Sequence, residues 1–134
     1  MSVRSFLDTN VIVYAFAVNG SRALTAERLL IDGGVISVQV LNEFVNVSRR
    51  KLKLEWPTVH RNVAIVRKLV GQLLPPDRRD ARRRARHRGL IQNPDSTTAL
   101  LIASACEGKC ETLLTEDLQH GVRIEGVAIR NPFI

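Results

Sequence analysis

Apolar positions along this chain switch between strand-like runs and helical stripes. Val3 to Leu7 reads as a strand that runs into Asp8-Thr9-Asn10, followed by a fresh apolar run, Val11-Ile12-Val13. Leu24 to Ile31 takes a helical period with Ala23, Ala26 and Leu30, and Gly33-Gly34 ends it. Val35 to Val38 is a short apolar run, expected as a buried strand. Residues 39–53 return to a helical period. Pro57 fits the first turn of the next helix, where Val59, Val63, Val66, Val70 and Leu73 form one stripe that Pro75-Pro76 stops. Ala99 to Glu107 is a strongly apolar helix, and Thr112–Thr115 and Val127–Ile129 are strands. The order βαβα, then helices, then β, without a hairpin signal, predicts an α/β fold with one parallel sheet covered by helices.

Composition narrows the class. With 134 residues and 45 % apolar content, the chain is one domain's worth with a sizeable core. No apolar run approaches the roughly 20 residues of a membrane span, and no secretory leader pattern opens the chain, so the expected compartment is the cytoplasm. Cys106 and Cys110 lack a second Cys/His pair at zinc spacing, which predicts reduced, buried thiols. The net charge of +7 points to a polyanionic partner. Residues 77–88 hold seven Arg and two Asp, and the remainder sums to nearly neutral.

Three acids occupy distinctive places. Asp8 has two readings: a cap on the helix that follows, or a carboxylate at the C-terminal end of a parallel strand, where open α/β sheets put their sites. Asp117 follows Thr112–Thr115 as Asp8 follows its own strand, so both acids fall on one rim of the sheet. Glu43 lies beside an apolar helix face, either solvated at its edge or turned to that rim. Carboxylates gathered closely repel one another and need shared protons or a divalent cation. Hard cations such as Mg²⁺ bind through a few carboxylates and waters and serve phosphodiester hydrolysis.

Four stretches carry a family likeness: Phe6-Leu7-Asp8-Thr9-Asn10-Val11, Ser37 to Phe44, Leu114 to Gly121, and Arg130-Asn131-Pro132-Phe133. Together they resemble the PIN domain, and more narrowly the VapC-type toxins of bacterial toxin–antitoxin pairs, over roughly 1–75 and 98–134. The resemblance implies a three-layer α/β/α sandwich around a mainly parallel sheet, a single domain over 1–134, and a Mg²⁺-dependent ribonuclease in which Mn²⁺ substitutes. By position it implies that Asp8, Glu43 and Asp117 belong to the acidic metal site and that Thr9, Asn10 and Thr115 hold them by hydrogen bonds. It further implies a homodimer, an RNA substrate, and an antitoxin whose tail enters the acidic groove.

One position departs from the pattern. The family carries a further acid where this chain has Thr98, and a hydroxyl does not supply a carboxylate's charge. Asp95, three residues earlier and on the same face of a helix begun one turn sooner, is the substitute ligand and catalytic candidate; its alternative role is a helix cap. Residues 77–98 also lack the expected Ala/Leu-rich helix. Phe-Tyr-Asp codons read one register off give Asp-Ser-Thr-Thr, the residues at 95–98, so one reading of 77–98 is a frame-shifted passage. The others are an Arg-rich contact for RNA or antitoxin and a solvated charged face. Two functions follow: an active ribonuclease, or an impaired PIN-like module that only binds antitoxin or RNA.

Overall fold

The computed structural model describes residues 4–17, 20–75 and 97–134. In chain order the elements are β1 (Ser5–Leu7), α1 (Thr9–Ala15), α2 (Ser21–Ile31), β2 (Val35–Ser37), α3 (Val38–Arg50), α4 (Trp56–Leu69), β3 (Gln72–Leu74), α5 (Thr97–Glu107), β4 (Thr112–Leu114), β5 (Arg123–Ile124) and β6 (Val127–Arg130). The strands form one sheet of order β3-β2-β1-β4-β6-β5. Every pairing is parallel except β5 with β6. The α/β class and the mainly parallel sheet expected from the sequence are what the chain adopts.

Short strands suffice because both faces are covered. Phe6, Leu7, Val35, Ile36, Leu113 and Leu114 are buried without alternation, as in a parallel sheet packed between helices. Phe44 from α3, Val66 from α4, Ile102 from α5 and Val11 and Ile12 from α1 complete one core cluster with them. Each fully buried Phe, Ile or Leu contributes about 1.5–3 kcal/mol through removal of apolar surface from water. Cys110 is buried and Cys106 half-buried, both unbridged; burial pushes the Cys110 thiol up, against the pull of Arg4.

Two expectations were too simple. The stripe from Val59 to Leu73 is not one helix: α4 ends at Leu69, and Gln72–Leu74 pairs with β2 as an edge strand. Gly71 makes the corner, its N–H donating to the Gly34 carbonyl at 2.9 Å. The exposed edge of β2 needed backbone partners, and that demand overrides an apolar period helix and strand happen to share. The second is a hairpin. Ile124 faces Val127 across Glu125 and Gly126, whose φ angles of 49° and 80° give the left-handed two-residue turn that suits twisted antiparallel strands. The Arg-rich stretch 77–88, the frame-shift reading and Asp95 lie outside the described residues, as does the Thr98 side chain.

Candidate active site

From β1 the sheet order runs one way through β2 and the other way through β4, so the chain reverses its winding between β1 and β4. Crevices form at the carboxyl ends of strands at such a reversal. Leu7 pairs with Leu114, which sets Asp8 beside Thr115, and the Asp8 N–H donates to the Leu114 carbonyl at 3.0 Å. Asp8 thereby satisfies both of its readings. It caps α1, its Oδ1 accepting from the Thr9 N–H at 2.7 Å, and it ends a central parallel strand.

A cleft of about 410 Å³ opens over this point, lined by Asp8, Thr9, Asn10, Glu43 and Asp117 among others. Neutral donors tie the acids to one another. The Thr115 hydroxyl donates to Asp8 Oδ2 at 2.7 Å and accepts from the Asp117 N–H at 3.1 Å. The Asn10 amide nitrogen reaches Asp117 Oδ2 at 3.0 Å and, more weakly, Asp8 Oδ2 at 3.5 Å. Thr9 Oγ1 donates to Glu43 Oε2 at 3.0 Å. Ser37, the last residue of β2, starts α3 by capping the Val40 N–H at 3.2 Å, and α3 then carries Glu43 to the cleft. Asp8, Glu43 and Asp117 thus meet at one site, supported by Thr9, Asn10 and Thr115.

Their environments differ. Asp8 is buried, Glu43 half-buried and Asp117 exposed. Burial raises the Asp8 pKa; hydrogen bonds from Thr115 and the Thr9 backbone oppose the rise, and the Asp117 and Glu43 charges add to it. Among the described residues no three His, Cys, Asp or Glu side chains converge closely enough to cage an ion. The set is instead two aspartates one amide apart, plus an orphan: among the described residues nothing hydrogen-bonds the buried Asn10 Oδ1. All are hard oxygen donors, and few carboxylates with room for water suit Mg²⁺ better than a closed cage would. The donor chemistry fits a divalent cation.

Sequence reading passed over a second cluster at the rim. Tyr14 lines the cleft one helical turn after Asn10, and its hydroxyl donates to Glu116 Oε1 at 2.9 Å. Arg22 Nη1 donates to the Tyr14 oxygen and to Glu116 Oε2, both at 2.8 Å. Its guanidinium also lies over the Tyr14 and Phe133 rings, which meet edge to face with centroids 4.9 Å apart. Glu116 is therefore occupied, and its neighbour Asp117 is the acid left to the cleft. The Asn10–Tyr14 spacing of four residues on a helix was the one signal available for this cluster.

The PIN domain family model matches residues 5–121. No curated protein matches the chain. Solved structures that share the fold include three from different organisms. VapBC2 from Rickettsia felis, bound to a DNA fragment from its promoter, has 22 % identity and TM-score 0.62, covering 96 % of this chain and 98 % of that one. FitAcB from Neisseria gonorrhoeae has 19 % identity and TM-score 0.64, with the same coverage. VapC20 of Mycobacterium tuberculosis, a sarcin–ricin loop cleaving toxin, has 16 % identity and TM-score 0.56, covering 81 % and 86 %. A family model spanning most of the chain, on a sheet whose reversal point gathers three acids, places this protein in the PIN domain family.

Proposed function

We propose that this chain is a Mg²⁺-dependent endoribonuclease, the toxin of a type II toxin–antitoxin pair. The observation that carries the reading is that Asp8, Glu43 and Asp117 all line one cleft at the sheet's reversal point. Membership of a nuclease family and likeness to a sarcin–ricin loop cleaving toxin support it. Asp8 and Asp117 would hold the cation, with the orphan Asn10 oxygen accepting from a bound water. A bound divalent cation supplies a more acidic water and neutralises charge on the phosphoryl oxygens. Thr115 fixes the Asp8 carboxylate and the Asp117 backbone in one geometry, while Thr9 aims Glu43 at the same space, where it orients the attacking water.

The partners that follow are RNA, a second copy of the chain and an antitoxin. Exposed Leu24, Ile31 and Ile134 offer apolar surface for the protein contacts.

The test is cleavage of a structured RNA by the purified chain. Activity with Mg²⁺, its loss in EDTA, its return with Mn²⁺, and its absence in Asp8→Asn and Asp117→Asn are expected. Cleavage that persists in EDTA, or in both variants, refutes the reading. Thr98 favours the second reading, an impaired module that binds antitoxin or RNA without cutting. Thr98→Asp that raises cleavage strongly marks 98 as the lost ligand position; loss in Asp95→Asn with no change in Thr98→Asp gives the role to Asp95.

A further inference from the structure

An acidic cleft repels the RNA it is meant to cut, so cations must bring the strand to its mouth. The near-neutral sum outside 77–88 conceals such a source. Between residues 44 and 75 there are seven Lys and Arg and a single acid, Glu55. Their front edge is the corner between α3 and α4. Glu43 and Val47 on α3 and Lys51, which caps its C-terminus, all line the cleft and recur every four residues, so Lys51 stands about 12 Å along the helix axis from Glu43. Beyond it, Lys53 takes a left-handed conformation (φ 54°) that Asn or Gly would adopt more easily, yet the position carries a cation.

The corner also presents the chain's single tryptophan. The Arg49 guanidinium lies 4.5 Å from the Trp56 ring centroid and is itself anchored on the Leu54 carbonyl at 2.9 Å. The His60 ring lies 5.7 Å away at 44°. Trp56 stays 48 % exposed, although a large apolar ring is normally covered. A guanidinium-backed indole with open surface, preceded in the chain by Lys51 and Lys53, has the composition of a stacking platform for single-stranded nucleic acid, where aromatic faces take bases and cations track phosphates.

We propose that Trp56, backed by Arg49 and preceded in the chain by Lys51 and Lys53, is the platform that stacks a base of the single-stranded RNA entering the acidic cleft. This rests on the ribonuclease reading and names how its substrate is held. Being the only tryptophan, Trp56 reports on itself. Unlabelled 12-nucleotide oligouridylate, added to the full chain in EDTA so that nothing is cut, should quench Trp56 emission along the same curve as the anisotropy rise of a fluorescein-labelled copy. Trp56→Ala should bind about tenfold more weakly, and Trp56→Phe should keep most of the affinity. Anisotropy that rises while emission stays constant, or Trp56→Ala binding as wild type does, overturns the platform. If both proteins then cleave RNA at equal KM in Mg²⁺, the nuclease reading stands without it. A wild type that neither binds nor cleaves overturns both. Emission that shifts with protein concentration alone marks the corner as an interface between copies and also overturns the platform.

Discussion

Thr115 carries no charge, yet its hydroxyl touches both aspartates of the cleft, donating to Asp8 and accepting from the Asp117 backbone. Thr115→Val keeps the shape and removes both bonds. Leaving the Asp117 N–H unpaired and Asp8 Oδ2 with only the long Asn10 contact should cost about 1–3 kcal/mol in urea unfolding. Loss of a group that orients a metal-binding carboxylate should weaken Mg²⁺ binding by about 10–100-fold, read by calorimetric titration, with Thr115→Ser restoring it. Unchanged Mg²⁺ affinity in Thr115→Val would refute a positioning role. Asp8 itself burdens the fold. Burial raises its pKa, so the folded state holds the proton more tightly than the unfolded chain does. Stability therefore falls as pH rises through the folded pKa. Asp8→Asn should gain stability relative to wild type as pH rises through that pKa, with the difference shrinking toward acid pH as wild-type Asp8 takes up its proton. Mg²⁺ should raise the Tm of wild type and not of the variant. A gap that stays constant into acid would show that ionisation is not its source.

At the scale of elements, the corner between α4 and β3 depends on a glycine contact. A Cβ on Gly71 would lie 2.5 Å from the Gly33 carbonyl oxygen, a backbone atom that moves only if β2 moves. Gly71→Ala should therefore destabilise by about 1–3 kcal/mol, lowering the urea midpoint; an unchanged midpoint would mean that β3 does not dock this closely. The same corner shows where sequence reading stops. β1, β2, β4 and β6 were legible because runs such as Val35-Ile36 and Leu113-Leu114 are buried on both faces and need no partner to be recognised. β3 was not, because Leu73 continues the apolar stripe of α4 and only the unpaired edge of β2 decides otherwise. Asp8, Glu43 and Asp117 were legible because strand ends and the helix after a strand are local features. The Tyr14–Arg22–Glu116 cluster joins residues about a hundred positions apart, and no local period records that.

Over the whole molecule, charge is divided rather than merely positive. Residues 1–43 and 99–134, which supply Asp8, Glu43 and Asp117, hold nine acids against six Lys and Arg; residues 44–75 reverse that balance with seven cations to one acid. A polyanion approaching this surface meets attraction from α3 and α4 before it meets the acids, and each phosphate held there releases counterions. Binding to single strands then weakens with salt by a log–log slope of about −0.7 for each phosphate contact. Lys51→Ala combined with Lys53→Ala should flatten the slope for oligouridylate by about 1.4, because two contacts are lost, while affinity for different sequences falls uniformly. Replacing Arg82, Arg83 and Arg84 by Ser is the matched control, since it removes more positive charge while leaving every residue from 44 to 75 unchanged. A slope that responds to the arginines and not to the lysines would place the footprint in residues 77–88, and the α3–α4 corner would then lose its claim on the strand.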